Sequence, residues 1–239
     1  MRIDLHCHTE ASFDCVTPIS RVLARCREKE IVVQAITDHN LIWAAERLKE
    51  LSLSEADGDI PHPTIIVGEE VSTNEGEIIG LYLRDRVPAG LSPEESIARI
   101  KDQGGLVLLP HGFDPLKRKR LRPTALARVA DAIDIVETFN TRVSRPRWNQ
   151  TANDWAVAHE ALKAAGSDAH TLADIGSAWV ETPLRPIEGP EDLLAALRVG
   201  TVVGEWTHPL FAFAYKMWDF GYQLAKRPFR GESERHLPR

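Results

Sequence analysis

The sequence predicts an α/β fold in which parallel strands joined by helical crossovers close into a β/α barrel. Short apolar runs alternate with longer helical patterns over roughly 200 residues, the order that crossover-connected strands produce. No G-x-G-x-x-G follows the first strand-like run, which weakens the dinucleotide-binding open sheet and favours the barrel. A length of 239 residues, 43% hydrophobic and 27% charged, suits one globular domain and excludes disorder, collagen and a disulfide-stapled miniprotein.

Met1–Leu5 reads as the first strand. Thr17-Pro18 supplies an N-cap and a first-turn proline for a helix to about Glu30. Ile31–Thr37 is the second strand, and Asn40 can cap a helix to about Leu53. The polar, proline-broken stretch Ser54–Pro63 is a loop. Strands follow at Thr64–Val67 and Ile78–Leu83. Ser92-Pro93-Glu94-Glu95 is a capping box that opens a helix to about Gln103, where Gly104-Gly105 ends it. Leu106–Pro110 and Ile133–Phe139 are strands, followed by a helix over about Asn149–Ala165. Strand-like Ala165–Ala169 and Ala178–Glu181 come next, then a helix opened by Pro190-Glu191-Asp192 and a last strand, Thr201–Gly204.

Apolar runs such as Leu106–Leu109 fall far short of the roughly 20 residues of a membrane span. The opening MRIDLHCHTE is charged and polar, so no secretory signal is expected. Three cysteines (Cys7, Cys15, Cys26) cannot all pair, which suits a reducing, cytoplasmic setting. A net charge of −6 argues against a surface that coats duplex nucleic acid, and leaves room for a small phosphorylated substrate on a local basic patch.

The histidines and acids fall at strand ends. Asp4, His6 and His8 share one strand parity and are expected on one face. Asp38-His39, Glu69-Glu70, His111 and Asp168-x-His170 close later strands. In a β/α barrel those ends converge on one mouth. Carboxylates gathered there repel and are costly to bury, and divalent metals resolve the conflict. Mixed nitrogen and oxygen ligands suit zinc or manganese, with one carboxylate bridging two ions.

The ordered set DLHCHT, ITDHN, VGEEVST, LPHG and GSDAHT resembles the PHP family, the polymerase and histidinol phosphatase superfamily. The matching motifs run from Asp4 to Thr171, about two thirds of the chain. The resemblance implies a distorted seven-stranded, TIM-like β/α barrel over residues 1–204. It also implies two or three divalent ions (Zn, Mn or Fe) and phosphoester hydrolysis by a metal-activated water. On this basis His6, His8, His39, His111, Asp168 and His170 are expected metal ligands, Glu70 the bridge, and Asp14 a further ligand. Asp14 equally reads as a turn residue before the helix at Thr17-Pro18, and Asp38 as either a neighbour of the metal or a support for an imidazole. Asp168, His170 or His111 would move the proton. The run E-T-F-N-T-R brings Asn140 and Arg142 to the mouth as substrate ligands. One departure stands out: relatives often carry a histidine where this chain has Ile79, so the second metal loses a nitrogen. Strand geometry is not expected to turn Glu77 inward in compensation.

Lys117–Arg122 holds five charges in six residues, and reads either as a solvated loop and helix start or as a rim for a nucleotide or oligonucleotide. Phe113 and Trp148 are the aromatics available for stacking. Cys7, between the two histidines, is expected to turn away as a small buried hydrophobe. Residues 205–239 read as an aromatic-rich helical tail packed on the barrel wall or against a homodimer partner, with a membrane-surface helix as the alternative. Two rival functions stand beside the phosphoesterase. One is an amidohydrolase-type C–N hydrolase, whose metal-bridging lysine is not visible at a strand end; the other is a regulatory protein without turnover.

Overall fold

The computed structural model describes residues 1–54, 62–183 and 186–208, with Leu210, Phe211, Ala214, Met217 and Gly221 beyond them. Strands β1 (Arg2–Asp4), β2 (Ile31–Ile36) and β3 (Thr64–Thr73) run parallel. β4 (Gly76–Leu81) lies antiparallel between β3 and β5 (Leu106–Leu109), and β5, β6 (Ile135–Asn140) and β7 (Leu162–Gly166) are again parallel. β8 (Ala178–Glu181) pairs antiparallel with β1, and β9 (Thr201–Gly204) with β8. The sheet order is β7-β6-β5-β4-β3-β2-β1-β8-β9, nine strands rather than the seven expected.

The reason is the free edge of β1, which is shared along its length. At its start Arg2 and Ile3 pair with β8. Beyond it Leu5 N donates to Ala165 O (3.3 Å), Asp168 N to His6 O (2.8 Å) and His8 N to Ala169 O (3.0 Å). The sheet therefore curls into a nearly closed, barrel-like form, with β8 and β9 continuing past the point of return.

Among the described residues six α-helices lie between strands: α1 (Ile19–Glu28), α2 (Trp43–Ser54), α3 (Pro93–Asp102), α4 (Pro123–Val129), α5 (Arg147–Ala158) and α6 (Pro190–Arg198). Leu23, Leu48, Ile100, Leu126 and Ala156 from α1–α5 pack on Ile36, Val67, Val107 and Val136, one face of the sheet. Residues of opposite parity, including Ala35, Ile66, Ile79, Leu108 and Ile135, form a second cluster with Leu193 and Leu197 of α6. Cys7 is fully buried among the helix-facing residues.

Local chemistry explains the ends. Ser92 caps α3 as expected: its hydroxyl accepts from Glu95 N while the Glu95 carboxylate accepts from Ser92 N. Thr17 is not the cap of α1; Pro18 holds that position, and Glu10 Oε1 accepts from Ile19 N instead (3.1 Å). Asn40 caps no helix either. It takes a left-handed φ of 55°, accepts from Ser72 N (2.8 Å) and donates to Ser72 Oγ (3.2 Å), tying the β2 end to β3. α5 stops at Ala158 rather than Ala165: Ala161 N closes on Ala156 O, Glu160 turns at φ 54°, and Leu162–Gly166 pairs with β6. Barrel pairing overrides the helix preference of that alanine-rich stretch. The strand expected at Ala165–Ala169 thus begins and ends earlier.

The segment 55–61 falls outside the described residues, as does most of the tail expected as an aromatic helix. Its first part is anchored, with Trp206 Nε1 donating to Val143 O (2.9 Å) and Thr207 N to Thr141 O (3.3 Å). The helical Leu210, Phe211 and Met217 are exposed. Among the described residues no helix is long and apolar enough to cross a membrane.

Candidate metal centre

β1 delivers His6 and His8 to the mouth, and their outer nitrogens are held from behind. His6 Nδ1 donates to Glu137 Oε1 of β6 (2.9 Å). His8 Nδ1 lies 3.3 Å from Ser12 Oγ, whose proton goes to Asp38 Oδ1 (2.6 Å), so Ser12 accepts from His8. With both Nδ1 atoms donating, the Nε2 atom of each ring is the one turned into the centre. Those two Nε2 atoms stand 3.1 Å apart. Glu70 Oε2 stands 3.5 and 3.3 Å from the same two atoms, and Asp168 Oδ1 3.6 and 3.5 Å. Two imidazole nitrogens and two carboxylate oxygens converge, a set that takes up either protons or a metal cation.

The cluster extends on both sides of Glu70. Its Oε1 accepts from His111 Nε2 (3.0 Å), while Oε2 also lies 3.2 Å from His39 Nδ1. Glu77 Oε1 is 3.5 Å from His39 Nδ1. Asp14 reaches His170 Nε2 (3.2 Å) and His39 Nε2 (3.7 Å). Four overlapping triplets result, His6-His8-Glu70, His6-His111-Asp168, His8-His39-His170 and His39-Glu70-Glu77, each with candidate ligand atoms within 4.8 Å of one another. Thus Asp14, His39, Glu70, His111, Asp168 and His170 line one cavity of about 260 Å³, and the fully buried His6 and His8 touch Glu70 and Asp168 at its floor.

Asp4 does not join His6 and His8. β1 ends at Asp4, alternation stops there, and its carboxylate accepts from Ser167 N (3.0 Å) and Ser167 Oγ (2.6 Å). Asp38 holds Thr9 and Ser12 rather than the His39 ring. Asn140 is buried, its amide donating to Glu137 (2.9 Å) and Asp168 (3.3 Å). Arg142 lines the cavity with Nε 4.0 Å from Asp168, and its buried Nη1 has no hydrogen-bond partner. Phe113 packs on Trp155 and Trp148 donates to Ser144, so neither lines the cavity; the exposed Phe13 does.

Contrary to expectation, Glu77 does face the centre. In the antiparallel β3–β4 hairpin Glu70 pairs with Ile79 and Ser72 with Glu77, which places all four on one face. The signal was present in the sequence, because residues 77 and 79 share strand parity. Glu137, Lys117 (2.7 Å from Asp168) and Lys119 (3.1 Å from Glu77) were also missed as members of the centre. Gly166 makes the Glu137–His6 pair possible, since a Cβ there would overlap both side chains. Two residues of the centre take left-handed backbone, His111 at φ 29° and Asp168 at φ 50°, each costing about 1–3 kcal/mol that the surrounding bonds must offset.

The electrostatics follow from burial and crowding. Burial by itself lowers the His8 imidazole, but Asp168 and Glu70 outweigh it and push it up to about 9. Burial likewise opposes protonation of His6, and Glu137, Asp168 and Glu70 raise it well above the usual range. Burial raises Glu70 and Asp168, yet their cationic and hydrogen-bonding neighbours hold both well below the ordinary carboxylate range. His170, buried, is lowered to about 4. The centre therefore holds an excess of negative charge that draws cations.

Two family models match the chain. The model described as the PHP domain matches residues 4–134, more than half of the chain, and one described as PHP-associated matches residues 146–202. The chain belongs to the PHP family. This PHP chain is 34% identical over 196 residues to MJ0417, an uncharacterized protein of Methanocaldococcus jannaschii, covering 81% of this chain and 75% of the relative. Its fold resembles that of a two-domain protein from Bacteroides vulgatus described as containing a "predicted PHP-like metal-dependent phosphoesterase" (TM-score 0.68, 14% identity). That match covers 86% of this chain, which spans 65% of the Bacteroides protein's length. A further likeness is the lesion-specific endonuclease EndoQ of Pyrococcus furiosus (TM-score 0.53, 15% identity, 84% and 56% covered). At these identities both structures speak for the fold alone.

Proposed function

We propose that this PHP chain is a metal-dependent phosphoesterase acting on a phosphate monoester, a nucleotide or a short oligonucleotide. The observation that carries the reading is the convergence of the His6 and His8 Nε2 atoms, 3.1 Å apart, with the Glu70 and Asp168 carboxylates. Imidazole and carboxylate donors of this kind fit Zn, Mn or Fe, and Glu77 provides an oxygen near His39 where Ile79 provides nothing. His6, His8, Asp14, His39, Glu70, His111, Asp168 and His170 would hold two or three such ions, with Glu70 between them. Bound there, the ions would supply Lewis-acid activation of water and neutralise charge on a phosphoryl group.

The chain's own residues supply the rest. Glu137 and Ser12 fix the His6 and His8 rings so that their Nε2 atoms face the centre. Arg142, whose Nη1 makes no hydrogen bond and lies 3.8 Å from Asp174, offers a donor to a phosphate oxygen, and Lys117 adds a second positive charge beside Asp168. Asp168, His170 and His111 line the cavity and would carry the proton. Glu70 occupies the place that a bridging lysine would need, which favours this chemistry over C–N hydrolysis.

The test is metal content of the purified chain, followed by turnover of nucleotides, sugar phosphates and short oligonucleotides with Mn²⁺ or Zn²⁺. Two or more ions per chain with turnover of one class is the expected result. Glu70→Gln should strip most metal and at least a hundredfold of activity; full retention of both would overturn the bridging role. Metal without turnover of any ester would favour the C–N hydrolase or the regulatory reading.

A further inference from the structure

Two lysines of one short segment reach into the metal centre, and they engage its carboxylates differently. Lys117 Nζ lies 2.7 Å from Asp168 Oδ2, whereas the Asp168 oxygen that stands 3.6 and 3.5 Å from His6 and His8 is Oδ1. That carboxylate can keep its lysine and still turn an oxygen to an ion beside the two imidazoles. Lys119 Nζ lies 3.1 Å from Glu77 Oε1, the same oxygen that stands 3.5 Å from His39 Nδ1. An ion held by His39, Glu70 and Glu77 would draw on that oxygen and meet the repulsion of the ammonium group on it.

The backbone fixes where Lys119 stands. Its carbonyl accepts from Glu77 N (2.7 Å), Glu77 forms a bridge with Arg120, and Leu121 is fully buried in the core. Gly76, at φ 128°, permits the approach, because a Cβ there would overlap the Arg120 carbonyl. The ammonium group also lies 5.2 Å from the centre of the Phe13 ring, and that ring stacks on His39 with centroids 5.4 Å apart. Lys119 thus contacts one donor of the His39-Glu70-Glu77 triplet and, through Phe13, covers another. Its side chain is half-exposed while Glu77 is buried, so the ammonium can swing away on its flexible stem and the carboxylate stays behind.

We propose that Lys119 is a built-in competitor for the divalent ion at His39, Glu70 and Glu77, so that the centre fills in two steps. One ion binds tightly at His6, His8, Glu70 and Asp168. The second binds more weakly, because it must displace the ammonium group from Glu77. This rests on the metal-dependent part of the reading above, and adds that occupancy of the second place follows the free metal concentration.

Titration of the full chain with Mn²⁺, after EDTA treatment and dialysis, tests this without any substrate. Calorimetry gives the two affinities, and the electron paramagnetic resonance signal of free Mn²⁺ gives the number of ions bound. The unaltered chain should bind its second ion at least tenfold more weakly than its first. Lys119→Met should tighten the second at least fivefold and leave the first within twofold. Lys119→Gln repeats the loss of charge with a polar side chain, and Lys119→Arg, which keeps the charge, should stay within twofold of the unaltered chain at both places. Two ions of equal affinity in the unaltered chain would overturn the proposal, as would a second affinity that neither Lys119→Met nor Lys119→Gln raises. Absence of any Mn²⁺ binding would overturn it together with the metal centre. Turnover separates the two claims. An unmoved second affinity beside ester hydrolysis removes only the role of Lys119, and the expected affinities with no ester hydrolysed remove only the phosphoesterase.

Discussion

Glu69 and Glu70 are neighbours and both are buried, yet the pleat of β3 sends them into opposite surroundings. Glu70 meets four imidazoles. Glu69 meets the backbone, its Oε2 accepting from Val87 N (2.8 Å) while Oε1 has no partner. Burial pushes Glu69 from 4.5 up to about 7, against the pull of Val87 and Arg86. The folded chain therefore binds more protons than the unfolded chain between those values, and this residue makes stability fall as pH rises from 4.5 to about 7. Glu69→Gln keeps an acceptor for Val87 and removes the buried charge. It should leave stability unchanged near pH 4.5 and raise it by ~1–3 kcal/mol at pH 8, at about 1.4 kcal/mol per pKa unit. Urea unfolding of both proteins at the two pH values measures this; a difference that does not grow with pH would exclude Glu69 as its source.

At the scale of elements, the β3–β4 hairpin carries part of the metal centre and anchors the basic run Lys117–Arg122. Its antiparallel register brings Glu77 beside Glu70, and its turn at Gly76 receives the basic run. Gly76→Ala should cost roughly 1–3 kcal/mol, from a β-carbon at φ 128° and from the displaced Arg120 carbonyl. The detached segment should also become a site of rapid tryptic cleavage, since it holds five Lys or Arg residues in six. Unfolding curves and a trypsin time course that match those of the unaltered chain would show that the hairpin does not hold the run. Helix α3 makes a useful contrast, because its capping box is complete within four residues and needed no tertiary help.

For the whole molecule, closure of the sheet and assembly of the centre are one event. β1 meets β7 through Leu5, His6 and His8, and the same stretch carries two of the imidazoles, so only the folded chain presents the donor set. Metal that binds the folded state alone stabilises it by about 2.7 kcal/mol at a hundredfold excess over Kd. For a chain of this length that corresponds to a rise in Tm of roughly 5–10 °C, at about 2–4 °C per kcal/mol. Thermal melts with Mn²⁺, Zn²⁺ or Fe²⁺ should show the rise, and EDTA should reverse it. A Tm indifferent to all of them would argue that the centre binds none.

Periodicity and punctuation made the α/β order readable, from the first strand to the Thr201–Gly204 strand, because each is complete within a few residues. The order of the H-x-H, D-H, E-E and D-x-H motifs likewise identified the family and nominated eight residues that the fold gathers in one cluster, six of them lining the cavity. What local pattern cannot contain is the partner across the sheet. His6 and Glu137 are 131 residues apart and Lys117 and Asp168 are 51 apart, so neither pair leaves a trace in periodicity. The ninefold strand count depended on how β1 divides its edge between β8 and the return of β7. The fate of Asp4 depended on where β1 stops, and that of Asn40 on the nearness of Ser72. The sequence by itself determined which chemistry stands at the strand ends; tertiary structure decided which groups face one another there, because contact between distant segments is set by register and closure rather than by neighbours in the chain.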